Sequence, residues 1–405
     1  MGLQCGTMLL SIVFAATANV AFALAPPDLM ATGDGRRVSS VLEWENVRRP
    51  EILETFRREV YGRRPVERPD FLRFERECAD SVAMDGEAVR MRIRATYGGA
   101  YGTNSFTFTA FVPRRADRPV PAFLYICISR TPWKIIDPTR TVRSGRWPAE
   151  EIVRRGFAAI AFASGDVAPD RFDGFATGVY AAFEHPDKKV VTPWGATWGT
   201  RTDESWGAIS AWAWGASRVM DWIETEPSID AAHVGVVGLS RGGKASLWAG
   251  ATDERFAMTC VHASGQCGAK LRTFEGSPYG QTVEDITRRF PHWFCWRFHR
   301  WMGKDLEMPF DQHWVLALVA PRLLYVSNAS GDVYAPEYAA CRAASPAWEL
   351  YGEKGLVSDG MPAFDVAQDE GRLAFHHHDG PHDLTPAEWK AYMDYAEKNG
   401  WKRAK

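Results

Sequence analysis

An excess of positive charge is the first thing missing: 48 Lys and Arg stand against 50 Asp and Glu, and no window interleaves a basic stripe with aromatics. Nucleic acid is therefore not an expected partner, since that binding needs a basic footprint. Cysteine is sparse, at seven in 405 residues, and no CxxC pair occurs. A small disulfide scaffold is excluded, and nothing in the spacing points to a zinc finger. Internal repeats and low-complexity tracts are absent too. Long apolar runs are missing except at residues 8–25, where small residues recur as Ala21-x-Ala23 and Ala23-x-Ala25. This reads as a secretory signal peptide spanning residues 1–23, although no Lys or Arg occurs before Arg36; an uncleaved membrane anchor is the competing reading. Cleavage removes Cys5 and leaves six cysteines. Both disulfides and buried thiols stay open, because spacing alone does not select a pairing.

What is present is core material: 46% of residues are hydrophobic and 13% aromatic, with 17 Trp. Residues 24–85 read as an amino-terminal arm packing on the body, with a helix around Trp44–Val60. Residues 86–405 read as one catalytic domain. Val89–Tyr97 and Ser105–Val112 alternate as half-buried antiparallel strands do, whereas Val120–Ile128 is almost unbroken apolar and fits a strand buried on both faces. Further buried strands are expected at Gly156–Ala163, His233–Val237, Phe256–Val261, Pro321–Ser327 and Arg372–His377. Helices are expected at Pro148–Arg155, Trp206–Glu226, Arg241–Ala249, Glu284–Met302, Tyr334–Ala343 and Pro386–Lys398. Residues 164–204 show no periodicity and read as an insertion. The alternation predicts an α/β fold with a mostly parallel central sheet, antiparallel strands leading into it and helices on both faces.

Gly238-Leu239-Ser240-Arg241-Gly242 matches G-x-S-x-G between a predicted strand and a predicted helix. The pentapeptide alone is weak; in that context it marks a nucleophile elbow, whose sharp turn needs flanking glycines. A serine hydroxyl needs an imidazole to take its proton and an acid to orient the imidazole. His382, in the Gly380-Pro381-His382-Asp383 loop after the last strand, is the candidate base. Asp332, in the loop after Pro321–Ser327, is the candidate acid, with Asp365 and Asp369 as weaker alternatives and helix capping as its competing role. The HHHDGPHD cluster also admits a metal reading through His378 and His382, but a strand followed by a Gly-Pro turn lacks the helical face that spacing needs. No metal or organic cofactor is expected.

These residues resemble the glucuronoyl esterases, carbohydrate esterase family fifteen, in particular its bacterial members. The resemblance covers roughly residues 85–400 and rests on SWG…AWAWG at 205–215, GLSRGGKASLW at 238–248, FPHWF at 290–294, PFDQH at 309–313, APR at 320–322 and GPHDLT at 380–385. It implies an α/β-hydrolase fold with Ser240 as nucleophile, His382 as base, Arg241 at the oxyanion and Lys244 on sugar hydroxyls. Gln281 and Tyr334 stand at further substrate-contact positions, and the aromatic-rich loops with Trp194, Trp198, Trp293, Trp296 and Tyr334 are candidate walls for the sugar and the aromatic alcohol, with core packing as the competing reading. The Glu-Ser-Gly motif that carries the acid in some members reads Ala263-Ser264-Gly265 here, which leaves Asp332. Tyr334 replaces a stacking Trp, and Gln281 a Glu. The implied enzyme is a secreted or periplasmic monomer acting on a polysaccharide ester of the glucuronoxylan–lignin type. An esterase for acetyl groups or another uronate ester is one alternative, and a non-catalytic polysaccharide-binding protein the other.

Overall fold

The fold is given by a computed structural model that describes residues 25–77, 81–185, 201–272, 282–332 and 334–402. The expected signal peptide lies outside these. Among the described residues ten strands form one sheet: β1 Leu72–Arg76, β2 Ser81–Ala83, β3 Ala88–Gly99, β4 Gly102–Pro113, β5 Val120–Cys127, β6 Ala158–Ala163, β7 Ile229–Leu239, β8 Met258–His262, β9 Leu323–Ala329 and β10 Leu373–His378. Their order is β1-β3-β4-β6-β5-β7-β8-β9-β10, with β2 also on β3. Pairing is antiparallel from β1 through the β4–β6 contact and parallel from β6 to β10.

Strand β5 is buried at all eight residues, as its apolar run requires of a central strand. Its side chains alternate between two cores. Val120, Ala122, Leu124 and Ile126 join the cluster that includes the helix Ala208–Ile223, while Phe123, Tyr125 and Cys127 join the one beneath Ala149–Arg154 and Pro386–Lys398. Trp44, Ile52, Phe56 and Tyr61 of the amino-terminal stretch are buried in the first cluster.

Four local expectations change. The helix expected over Glu284–Met302 ends at Arg289, and Pro291 intervenes before a 3-10 segment at Trp296–Trp301; proline removes the N–H a continuing helix needs. The arm helix runs from Val41 to Tyr61 but alternates α-helical with π-helical stretches. Among the described residues of 164–204 there are two short α-helices, Ser164–Val167 and Val179–Phe183, and a 3-10 turn at Gly174–Ala176. Strands β1 and β2 extend the sheet at an edge where none was expected. The five described cysteines, Cys127, Cys260, Cys267, Cys295 and Cys341, are buried free thiols. Among the described residues no helix is long and apolar enough to cross a membrane.

Candidate active site

β7 ends at Leu239 and the helix Arg241–Thr252 begins two residues later, so the chain must reverse at Ser240. It does so at φ 60° and ψ −122°, a conformation that costs a residue with a side chain on the order of 1–3 kcal/mol. A Cβ on Gly238 would lie 1.9 Å from the Gly242 carbonyl oxygen. Only glycine permits so close an approach. The Ser240 N–H donates to the His262 carbonyl (2.9 Å), and the Lys244 N–H to the Ser240 carbonyl (3.1 Å), fixing the turn from both sides.

Two loops leave the carboxyl ends of the adjacent parallel strands β9 and β10, and they are stitched together. Gly331 N–H donates to the Gly380 carbonyl (3.2 Å) and Ser330 N–H to the His378 carbonyl (2.8 Å); the Ser330 hydroxyl donates to Asp379 Oδ1 (2.7 Å) and accepts from Gly380 N–H (3.0 Å). This brings His382 Nδ1 within 2.8 Å of Asp332 Oδ2. The carboxylate can only accept, so Nδ1 carries a proton, and in the neutral ring the lone pair is then on Nε2. Ser240, Asp332 and His382 line one cavity of about 340 Å³, within the usual range of small-ligand sites, roughly 300–1,000 Å³.

Arg241 lines the same cavity. Its guanidinium is paired with Asp170 and lies 4.9 Å from the Trp293 ring centre and 5.3 Å from that of Phe290. Asp170 also accepts from His292 Nε2 and Trp293 Nε1, each at 2.8 Å. Burial pushes the Asp170 carboxyl upward, but the His292 hydrogen bond, the Arg241 charge and the Trp293 hydrogen bond outweigh it and hold it at about 2. Asp170 therefore stays ionised and fixes one edge of the guanidinium, leaving its other donors for the cavity. Asp170 was not singled out from the sequence, because it lies in the aperiodic insertion and its three partners are 71, 122 and 123 residues away.

Lys244 is buried, lines the cavity floor and donates through Nζ to the Ser264 carbonyl. Burial pulls its ammonium down to about 8. Behind the Ala263-Ser264-Gly265 turn, where the sequence offers no carboxylate, sits a second missed acid. Glu337 accepts from the Ser264 hydroxyl (3.0 Å), Gly265 N–H (2.5 Å) and Asn328 Nδ2 (2.8 Å). It is fully buried, and that burial lifts it to about 7.

Trp293 forms a cavity wall and stacks on Phe290 at 3.8 Å. Tyr334, by contrast, is not among the described residues that line the cavity; its ring packs on His377 (4.4 Å) and Phe364 (5.6 Å). Gln281, Trp194 and Trp198 lie outside the described residues. His378 and His382 do not gather as a metal pair. Among the described residues the one such group is His262, His378 and Glu388, with ligand atoms within 4.8 Å. Both ring nitrogens of His262 are already hydrogen-bonded.

Burial also sets an acid response. His262, His299 and His313 are each held down at about 4, chiefly by desolvation. Unfolding frees them to bind protons between pH 6.5 and 4, so the stability their neutral forms allow is lost as pH falls through that window. Glu337, raised to about 7, works the other way between pH 7 and 4.5. The three histidines outweigh the one glutamate between pH 6.5 and 4.5, so stability should fall as pH drops through that range. Urea unfolding midpoints measured from pH 7 to 4 should fall accordingly; a flat profile would mean that these histidines are charged in the fold.

The strand order, a serine elbow after β7 and a His–carboxylate pair on the loops after β9 and β10 define a hydrolase of α/β-hydrolase fold. The family model for "Glucuronyl esterase, fungi" matches residues 148–352. The carbohydrate esterase MZ0003, from an unknown prokaryotic organism, is 31% identical over 399 residues, spanning 92% of this chain and 88% of that protein. The solved glucuronoyl esterase from Solibacter usitatus superposes with a TM-score of 0.83 at 31% identity, over 95% of this chain and 99% of that one. A promiscuous CE15 esterase from a marine bacterial metagenome gives 0.76 at 29% identity, over 94% of this chain and 98% of that one. The chain belongs to the glucuronoyl esterase family, CE15.

Proposed function

We propose that the protein is an exported esterase that hydrolyses glucuronoyl esters of plant polysaccharide, of the kind that link glucuronoxylan to lignin alcohols, through an acyl-enzyme on Ser240. The observation that carries this reading is the 2.8 Å His382–Asp332 pair facing the same cavity as the strained Ser240 elbow. His382 Nε2 takes the serine proton as Oγ attacks the uronoyl carbonyl, and then returns it to the departing alcohol. Arg241, braced by Asp170, donates to the oxygen on which negative charge develops. Water, activated by the same imidazole, releases the uronic acid. No cofactor takes part in these steps.

The lining of the cavity suits a hydroxyl-bearing acyl sugar whose carboxyl, neutral as the ester, becomes negatively charged in the transition state and the product. Arg241, Lys244, Lys270 and Arg289 line it, against Asp332 as its one carboxylate among the described lining residues. The apolar run at residues 8–25 supports export, which polymeric substrates outside the cell require.

A substrate panel tests the reading: benzyl glucuronate should be turned over well ahead of methyl galacturonate and acetylated xylan. Preference for either of the latter would move the enzyme to another ester class, and glycan binding without hydrolysis of any ester would make the protein a binding module. Lys244→Ala refines the test. If its ammonium contacts sugar hydroxyls, kcat/KM on a glucuronate ester should fall on the order of 100-fold, while nitrophenyl acetate loses less than about 5-fold. Equal losses would restrict Lys244 to supporting the Ser264 carbonyl and the elbow.

A further inference from the structure

His262 closes β8 and is fully buried, so it touches no substrate. Its main chain and its ring are nevertheless tied to the elbow, to the His382 loop and to the strand that leads to Asp332. Its carbonyl accepts the Ser240 N–H at the elbow (2.9 Å). Its Nε2 lies 2.8 Å from the carbonyl oxygen of Asp383, the residue after His382. Its Nδ1 lies 2.8 Å from the Ser327 hydroxyl, on the strand that delivers Asp332.

The proton positions follow from the partners. A carbonyl oxygen can only accept, so Nε2 carries the proton and Nδ1 is the acceptor. The Ser327 hydroxyl therefore donates to Nδ1, and its oxygen accepts from the Tyr392 hydroxyl 2.6 Å away. The chain Tyr392, Ser327, His262, Asp383 thus has one consistent direction, ending on the backbone of the His382 loop. The ring is packed parallel to that of His378, 5.6 Å between centres. His378 in turn lies 2.6 Å from Glu388 Oε1. Glu388 Oε2 accepts from the Thr385 N–H and hydroxyl (both 2.7 Å), capping the helix that follows the loop.

We infer that His262 is a positioning residue that holds the His382 loop in register with the Ser240 elbow, through a hydrogen bond from Nε2 to the Asp383 carbonyl. The inference rests on the reading of Ser240 as nucleophile and His382 as base. Without the bond, the loop keeps its stitches to the Asp332 side and the Arg146–Asp383 pair, but loses the hydrogen bond that joins it to the residue whose carbonyl also holds the Ser240 N–H. A displacement of about 1 Å between reacting groups costs on the order of 100-fold in rate, with little effect on substrate binding.

The test compares His262→Gln, whose amide nitrogen reaches the same carbonyl, with His262→Asn, whose amide stops short. On benzyl glucuronate, His262→Asn should lose about 30–100-fold in kcat with KM within about 3-fold, and His262→Gln should recover to within about 5-fold of wild type. Thermal unfolding of both variants shows whether either loss is one of folding. The ring's protonation is read independently in wild type: histidine nitrogen NMR should show His262 protonated at Nε2 and accepting at Nδ1. A folded His262→Asn with wild-type kcat, a His262→Gln no better than Asn, or an Nδ1-protonated ring would overturn the inference. If wild type hydrolyses no ester at all, the proposed function fails instead, and the nitrogen spectrum still reports on the hydrogen bond itself.

Discussion

Ser240→Ala is expected to lower kcat on glucuronate esters by several orders of magnitude, on the order of 10⁴–10⁶, while the protein folds as before. The hydroxyl is the atom that forms the acyl bond, and no arrangement of His382 or Arg241 substitutes for it. The fold should be indifferent, because the turn is held by backbone bonds from Ser240 N–H to His262 and from Lys244 N–H to the Ser240 carbonyl. Alanine leaves both intact and keeps a Cβ at the same strained φ of 60°. Turnover of benzyl glucuronate, with the unfolding midpoint as the control, decides the matter. Wild-type-like hydrolysis by this variant would end the serine-esterase reading, whereas a lost midpoint would place the serine in the scaffold.

The parts of this site legible in the sequence are those whose chemistry is local. A glycine-flanked serine between an apolar strand and a helix can be read within five residues, because strain, strand and helix are all short-range. The buried run of β5 and the alternation of β3 and β4 are legible for the same reason. Strands β1 and β2 are not. LRFER and SVA are short and mostly exposed or half-exposed, and they become strands by pairing with β3. Asp170 and Glu337 were missed because their roles exist only in three dimensions: one gathers Arg241, His292 and Trp293, and the other gathers Ser264, Gly265 and Asn328. Tyr334 has a place in a motif that implies a substrate contact, and its ring packs on His377 and Phe364 outside the described cavity lining.

The presence of Glu337 makes the acid the assignment most worth testing, since the region now offers two carboxylates. Asp332 is placed for the role. It is hydrogen-bonded to His382 Nδ1 at 2.8 Å and lines the cavity. Glu337 spends both oxygens on Ser264, Gly265 and Asn328, and its burial lifts it to about 7, which disfavours the charge an imidazolium partner needs. Asp332→Asn should therefore lower kcat by about 10³–10⁴, because an amide neither balances the imidazolium nor enforces the tautomer with a free Nε2. Glu337→Gln keeps an acceptor for the Ser264–Gly265 turn and should cost less than about 10-fold. Asp369→Asn, whose carboxylate pairs with Lys398 at 2.9 Å, serves as the distant control and should leave kcat unchanged. A near-wild-type Asp332→Asn beside a collapsed Glu337→Gln would transfer the acid role to the buried glutamate. His382 would then have to be oriented through a rearranged Ala263–Gly265 turn, and the 2.8 Å contact to Asp332 would be a feature of the resting enzyme alone.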